Sequence, residues 1–97
     1  MDEELTELAH DIRDELARRF PHVEVLDVTI DENPPVDDRD VVGVNVVYRQ
    51  RDPDARPTGF PGAVRFIRPL IRDFYESVFP LMRFLREEDA AELARAR

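Results

Sequence analysis

Two histidines, one serine, a cluster of acids and a row of arginines are the groups in this 97-residue chain whose types could do chemistry. Histidine is the usual base near neutral pH. At 100° per residue, His10 falls about 140° from the centre of the apolar stripe of its own segment and stands beside Asp14 at i+4, while His22 precedes the first strand. Neither has a nucleophile, a cysteine or a second histidine at a useful spacing, so they read as an exposed helix histidine and a turn histidine. Ser77, the sole serine, lacks the Gly-x-Ser-x-Gly setting of a nucleophile elbow. The absence of cysteine removes thiolate zinc sites, cysteine nucleophiles and disulfides. Gly43, Gly59 and Gly62 are the only glycines and form no phosphate-cradling loop, dinucleotide fingerprint or RNA-binding Gly-x-x-Gly.

Asp31, Glu32, Asp37, Asp38 and Asp40 could offer oxygen ligands to Ca²⁺ or Mg²⁺. An EF-hand loop alternates its acids, with glycine sixth and glutamate twelfth. Here Pro34 and Pro35 interrupt the alternation, and Val36 and Val42 hold those two places, so the segment reads as a solvated loop. A hairpin nuclease would need an acid and a lysine on the returning strand, where this chain has Val44, Asn45 and Val46 and no lysine anywhere. The expectation is therefore a protein that is not an enzyme, with no catalytic residue, cofactor or metal ligand.

The arginines are more specific. Arg65, Arg68 and Arg72 follow i, i+3, i+7, and in a continuous helical reading Arg83 and Arg86 fall in phase with them, bordered by Tyr75 and Phe79. Guanidinium groups suit bidentate contact with carboxylate or phosphate and stacking on rings. Such a face could dock an acidic partner, a phosphate-bearing ligand or an anionic membrane surface. It could equally be a solvated face, partly neutralised by Asp73 and Glu76. The charge pattern allows both readings: the net charge is −8, with residues 1–40 at −10, residues 41–86 at +4 and residues 87–97 at −2. A basic middle between acidic ends can pair with its own termini, with a second subunit or with an anionic partner, whereas the acidic total disfavours bulk nucleic-acid binding.

Periodicity indicates the elements that must position these groups. Leu5, Leu8, Ala9, Ile12, Leu16 and Phe20 share a stripe about 120° wide, which predicts an amphipathic helix over 2–19, ended by Pro21. His22 to Ile30 alternates as a strand, with Leu26, Val28 and Ile30 on one face and Val23, Val25, Asp27 and Thr29 on the other. The acidic connection over 31–40 is too long for a tight hairpin and too short for a crossover helix. The next strand, 41–50, therefore returns antiparallel, with Val42, Val44, Val46 and Tyr48 on its apolar face. After a polar loop at 51–59, apolar residues from Ala63 to Leu85 hold one stripe about 160° wide. This predicts two helices, 62–78 and 80–96, with Pro80 in the first turn of the second, and a tail over 87–97 that is exposed or frayed.

The expected architecture is a single α+β domain over 1–97 in the order helix-strand-strand-helix-helix. Its antiparallel hairpin, open to extension across a dimer, is covered by amphipathic helices. The helices offer more apolar surface than a hairpin needs, so Phe66, Leu70, Phe74, Val78, Phe79 and Met82 are the expected interface of a homodimer. The acidic N-terminus and the lack of an apolar run of about 18 residues point to the cytoplasm, with no transmembrane segment.

Residues 18–50, with Val23-Glu24-Val25-Leu26-Asp27-Val28 and the returning Val42 to Tyr48, are similar to the small baseplate-wedge family of phage and contractile injection systems. That resemblance implies a structural role in such an assembly. The family carries Glu-Pro-Arg ahead of its first strand, where this chain has Phe20-Pro21-His22. In element order alone the opening also resembles BolA-like and other KH-type α+β domains, a likeness that carries no function. The functional expectation is an interaction or assembly module that self-associates through its C-terminal apolar helix or a strand edge. The alternatives are a regulatory domain that binds phosphate or nucleic acid on the Arg face, and a baseplate-like structural protein.

Overall fold

A computed structural model describes residues 3–32, 41–52, 54, 59–75 and 78–95. Helix α1 (Glu3–Arg19) leads into strands β1 (Val23–Asp31) and β2 (Val41–Gln50), followed by α2 (Ala63–Phe74), β3 (Phe79–Arg86) and α3 (Glu87–Arg95). The fold is α+β, and β1 and β2 pair antiparallel as the length of their connection predicts. Helix α1 stops where Pro21 requires, its last backbone bond running from the Phe20 N–H to the Leu16 carbonyl at 2.8 Å. Glu3 and Glu4 in its first turn and Arg18 and Arg19 in its last match the helix dipole.

The pairing of β1 with β2 corrects one expectation. The register slips between Val25 and Asp27, so Val25 faces Tyr48 while Asp27 faces Val47, and Leu26 is the extra residue of a β-bulge. Strict alternation would place Val23 and Val25 opposite Val28 and Ile30. The bulge resets the phase, and all four reach the core face, Val23 and Val28 buried and Val25 and Ile30 packed against the cluster.

The larger correction lies at 79–86, expected as part of a helix over 80–96. This segment is a strand parallel to β2, with Val42 opposite Pro80, Val44 opposite Met82 and Val46 opposite Phe84. Only 87–95 is helical there. A run as rich in apolar residues as FPLMRFLR fits either period, so packing decides. A two-stranded hairpin would leave the far edge of β2 with unpaired backbone groups, and β3 satisfies them. Local chemistry agrees: Pro80 pushes Phe79 to an extended conformation, and α2 has already ended at Tyr75, whose backbone is extended. The parallel pairing uses α2 as its crossover.

Helices α1 and α2 lie together on one face of the sheet. Leu8, Ile12 and Leu16 of α1, Ala63, Ile67 and Ile71 of α2, and Val42, Val44 and Val46 of β2 make up most of the buried cluster. An aromatic group closes one end. Phe60 stacks on Phe84 at 4.3 Å and meets Phe20 and Tyr48 edge-on at 5.2 and 4.9 Å. Among the described residues no polar or charged side chain is buried, and no helix is long and apolar enough to cross a membrane.

Candidate functional site

Two surfaces remain after the core is closed, one on each side of the two-layer molecule. The first is the solvent side of α2. Arg65, Arg68 and Arg72 project from it, away from the buried Ala63, Ile67 and Ile71, and line a shallow groove with Val64 and Pro69. Pro69 within the helix lacks an N–H and cannot donate to the Arg65 carbonyl one turn back. Arg68 also lies over the Phe79 ring at 5.5 Å, a cation–π contact that links α2 to the start of β3.

Other arginines meet carboxylates. Arg18 and Arg19 hold Glu15 at 2.7 and 2.9 Å, and Arg49 clasps Glu87 with two hydrogen bonds of 2.8 Å while lying 3.6 Å from Glu24. The guanidinium bonds hold the Glu15 and Glu87 carboxyls below the usual carboxylate range. Arg65, Arg68 and Arg72 have no carboxylate partner among the described residues.

Arg83 and Arg86 do not join the row. Because 79–86 is a strand, Arg83 stands on the far side of the sheet beside Asn45, and Arg86 closes β3 beside Tyr48, near Glu87 and Glu88. The expected five-residue face is a three-residue row.

The second surface is the sheet face turned away from α1 and α2. It carries Glu24, Asp27, Thr29 and Asp31 on β1, Val41, Gly43, Asn45, Val47 and Arg49 on β2, and Phe79, Leu81, Arg83 and Leu85 on β3. In register, Val41 adjoins Phe79 and Val47 adjoins Leu85, so the β2–β3 side is largely apolar and the β1 side acidic. The six expected interface residues divide across the sheet. Phe66, Leu70, Phe74, Val78 and Met82 pack against the core, which uses most of the stripe once counted as surplus. Phe79 is 48% exposed. Sequence reasoning missed Leu81 and Leu85 as outward residues, because inward and outward positions of FPLMRFLR are nearly all apolar and carry no alternation.

The histidines fall elsewhere. Since a carbonyl can only accept, His22 Nε2 carries the proton that it donates to Gly59 O at 3.1 Å, tying the turn after α1 to the segment before α2. Arg51 supports the same turn by donating from Nε to Pro21 O at 3.0 Å. His10 lines a cleft between α1 and the β1 edge with Thr6, Arg13, Asp27 and Thr29, and Asp27 is the one acid of that lining. Asp37, Asp38, Asp40 and Ser77 lie outside the described residues. Among the described residues no three acids or histidines are grouped as metal ligands would be.

Comparison with protein-family models, curated proteins and solved structures finds no match to this chain. Its function is argued from its surfaces.

Proposed function

We propose that this chain is a non-catalytic assembly module of the cytoplasm that forms a homodimer through the face of its sheet turned away from α1 and α2. One observation carries the reading: Val41, Phe79 and Leu81 at one end of that face and Val47 and Leu85 at the other, on either side of the Asn45–Arg83 row, are apolar and lie outside the core cluster, with Phe79 exposed and the other four partly buried. A sheet stacked on a second sheet at about 10 Å is a common solution for such a face. Much of this apolar surface comes from β3, a sheet edge standing where a C-terminal apolar helix was expected, so stacking and edge pairing draw on the same strand.

The test is solution mass by light scattering across protein concentration, for the native chain and for Leu81→Asp. A dimer that persists at high salt, with Leu81→Asp giving folded monomer, supports the reading. A native chain that stays monomeric at every concentration, or an unchanged dimer in Leu81→Asp, refutes it. A second reading, anion binding on α2, is favoured by one feature, the lack of carboxylate partners for Arg65, Arg68 and Arg72 among the described residues.

A further inference from the structure

The arginine row has a counterpart on the same molecule. Helix α1 carries Glu4, Glu7 and Asp11, the same i, i+3, i+7 spacing as Arg65, Arg68 and Arg72. At a rise of 1.5 Å per residue both stripes extend about 10.5 Å, so charges of opposite sign repeat with the same pitch. Both stripes are exposed on the solvent side of the helix layer. Glu4, Glu7 and Asp11 line a groove between the two helices with Leu70, Asp73 and Phe74, which sets them level with the C-terminal half of α2 and hence with Arg68 and Arg72. Among the described residues neither Glu7 nor Asp11 forms an ion pair with Arg68 or Arg72. Glu4 has a contact of its own, so the argument rests on Glu7 and Asp11.

We infer that the helix layer is a second self-association surface, on which Arg68 and Arg72 of one copy pair with Glu7 and Asp11 of another. Symmetry and charge together select the arrangement. A two-fold axis running along the helices lays α1 of each copy over α2 of the other and pairs acid with arginine twice. A two-fold axis running across them lays acid on acid and arginine on arginine, which is repulsive. The inference goes beyond the sheet-face dimer, because it uses the opposite side of the molecule and a different force. It also gives the arginine row an occupant, which a solvated face would lack.

Two charge-reversed chains test it: Arg68→Glu with Arg72→Glu, and Glu7→Arg with Asp11→Arg. All four positions are exposed, so each chain should keep the native circular dichroism, with only a small drop in melting temperature where Arg68 leaves the Phe79 ring. At low salt the native chain should show an association step that weakens at least about 10-fold at about 1 M salt, where the screening length falls to about 3 Å. Each reversed chain alone should lose that step by about 100-fold. Mixed in equal amounts, the two reversed chains should associate with each other, because every contact is again between opposite charges. The milder Arg68→Gln with Arg72→Gln should weaken the step without abolishing it. The inference is overturned if the native low-salt mass does not depend on salt, if either reversed chain alone keeps the native behaviour, or if the mixture shows no heterologous species. Leu81→Asp should leave the salt-sensitive step in place, so failure of the sheet-face reading and failure of this one give different results.

Discussion

Phe84→Ala and Leu85→Ala, two neighbouring truncations in β3, should have very different costs. Phe84 points to the core side and stacks on Phe60 with ring centroids 4.3 Å apart and planes at 12°. Full truncation of a buried Phe costs about 3–5 kcal/mol. Phe84 is only half-buried, which lowers that figure, but it also loses a ring pair worth about 0.5–1.5 kcal/mol, so about 3 kcal/mol is expected. Leu85 lies on the opposite face beside Val47, partly buried but outside the core cluster, and its truncation in the monomer should cost about 1 kcal/mol. Were 79–86 helical, both residues would share one apolar stripe and cost alike. Urea unfolding, followed by circular dichroism at concentrations where the chain is monomeric, measures the difference. With a slope of about 1–3 kcal/mol per molar urea, a gap of about 2 kcal/mol separates the midpoints by roughly 1 M. Equal losses, or a larger loss for Leu85→Ala, would refute the strand and with it the outward placement of Leu81 and Leu85.

Three further outcomes are expected. Ile67→Ala, at a site 0% exposed in the middle of the core, should cost about 3–4 kcal/mol by denaturant unfolding, and a loss below about 1 kcal/mol would mean that α2 does not pack as described. Gly62→Ala should cost about 1 kcal/mol, because Gly62 caps α2 at φ +72° with open space around a built Cβ, so the penalty is conformational and not steric; a neutral result in a thermal melt would contradict that backbone. The hydrogen bonds from Arg49 hold the Glu87 carboxyl below the usual carboxylate range, so its contribution to anchoring α3 should be complete above the ordinary glutamate pKa and disappear as pH falls through the lower folded value. Hydrogen exchange of the α3 amides should therefore speed up in acid in the native chain, and in Glu87→Gln it should be fast at every pH.

How far the sequence carries depends on whether a residue's environment is local. Helix α1 and the β1–β2 hairpin are legible because one face of each is buried and the other solvated, so the apolar period reports the element directly. The bulge at Leu26 is not legible in this way. Both halves of β1 are rich in β-branched residues, and only pairing with β2 shows where the phase breaks. Strand β3 was hidden for a related reason. Its inward residues Pro80, Met82 and Phe84 and its outward residues Phe79, Leu81 and Leu85 are nearly all apolar, so neither a period of two nor one of 3.6 stands out. That one reassignment scatters the arginine face. Arg65, Arg68 and Arg72 stay together because α2 is a helix, as read, whereas Arg83 and Arg86 part from them with the strand. Phe60, which follows the positive-φ Gly59, gave no periodic signal, yet it joins Phe20, Tyr48 and Phe84.

The two proposed surfaces respond to salt in opposite directions. Apolar burial on the sheet face strengthens when excluded salts raise the cost of exposing carbon, whereas pairing between exposed carboxylates and guanidinium groups fades as the screening length shrinks. A chain with a net charge of −8 also repels its own copies at low salt, which weakens any contact that lacks compensating charge. The sheet-face dimer should therefore tighten as salt rises, since screening removes that repulsion and the apolar term grows. The helix-layer contact should do the reverse, because its attraction is what salt removes. Since the surfaces lie on opposite sides of a two-layer molecule, occupying both requires more than two copies. The mass should accordingly exceed that of a dimer at low salt and high protein concentration, and settle at the dimer as salt is added. A mass that rises steadily with salt would leave the apolar face as the only self-association surface and return the arginine row to solvent.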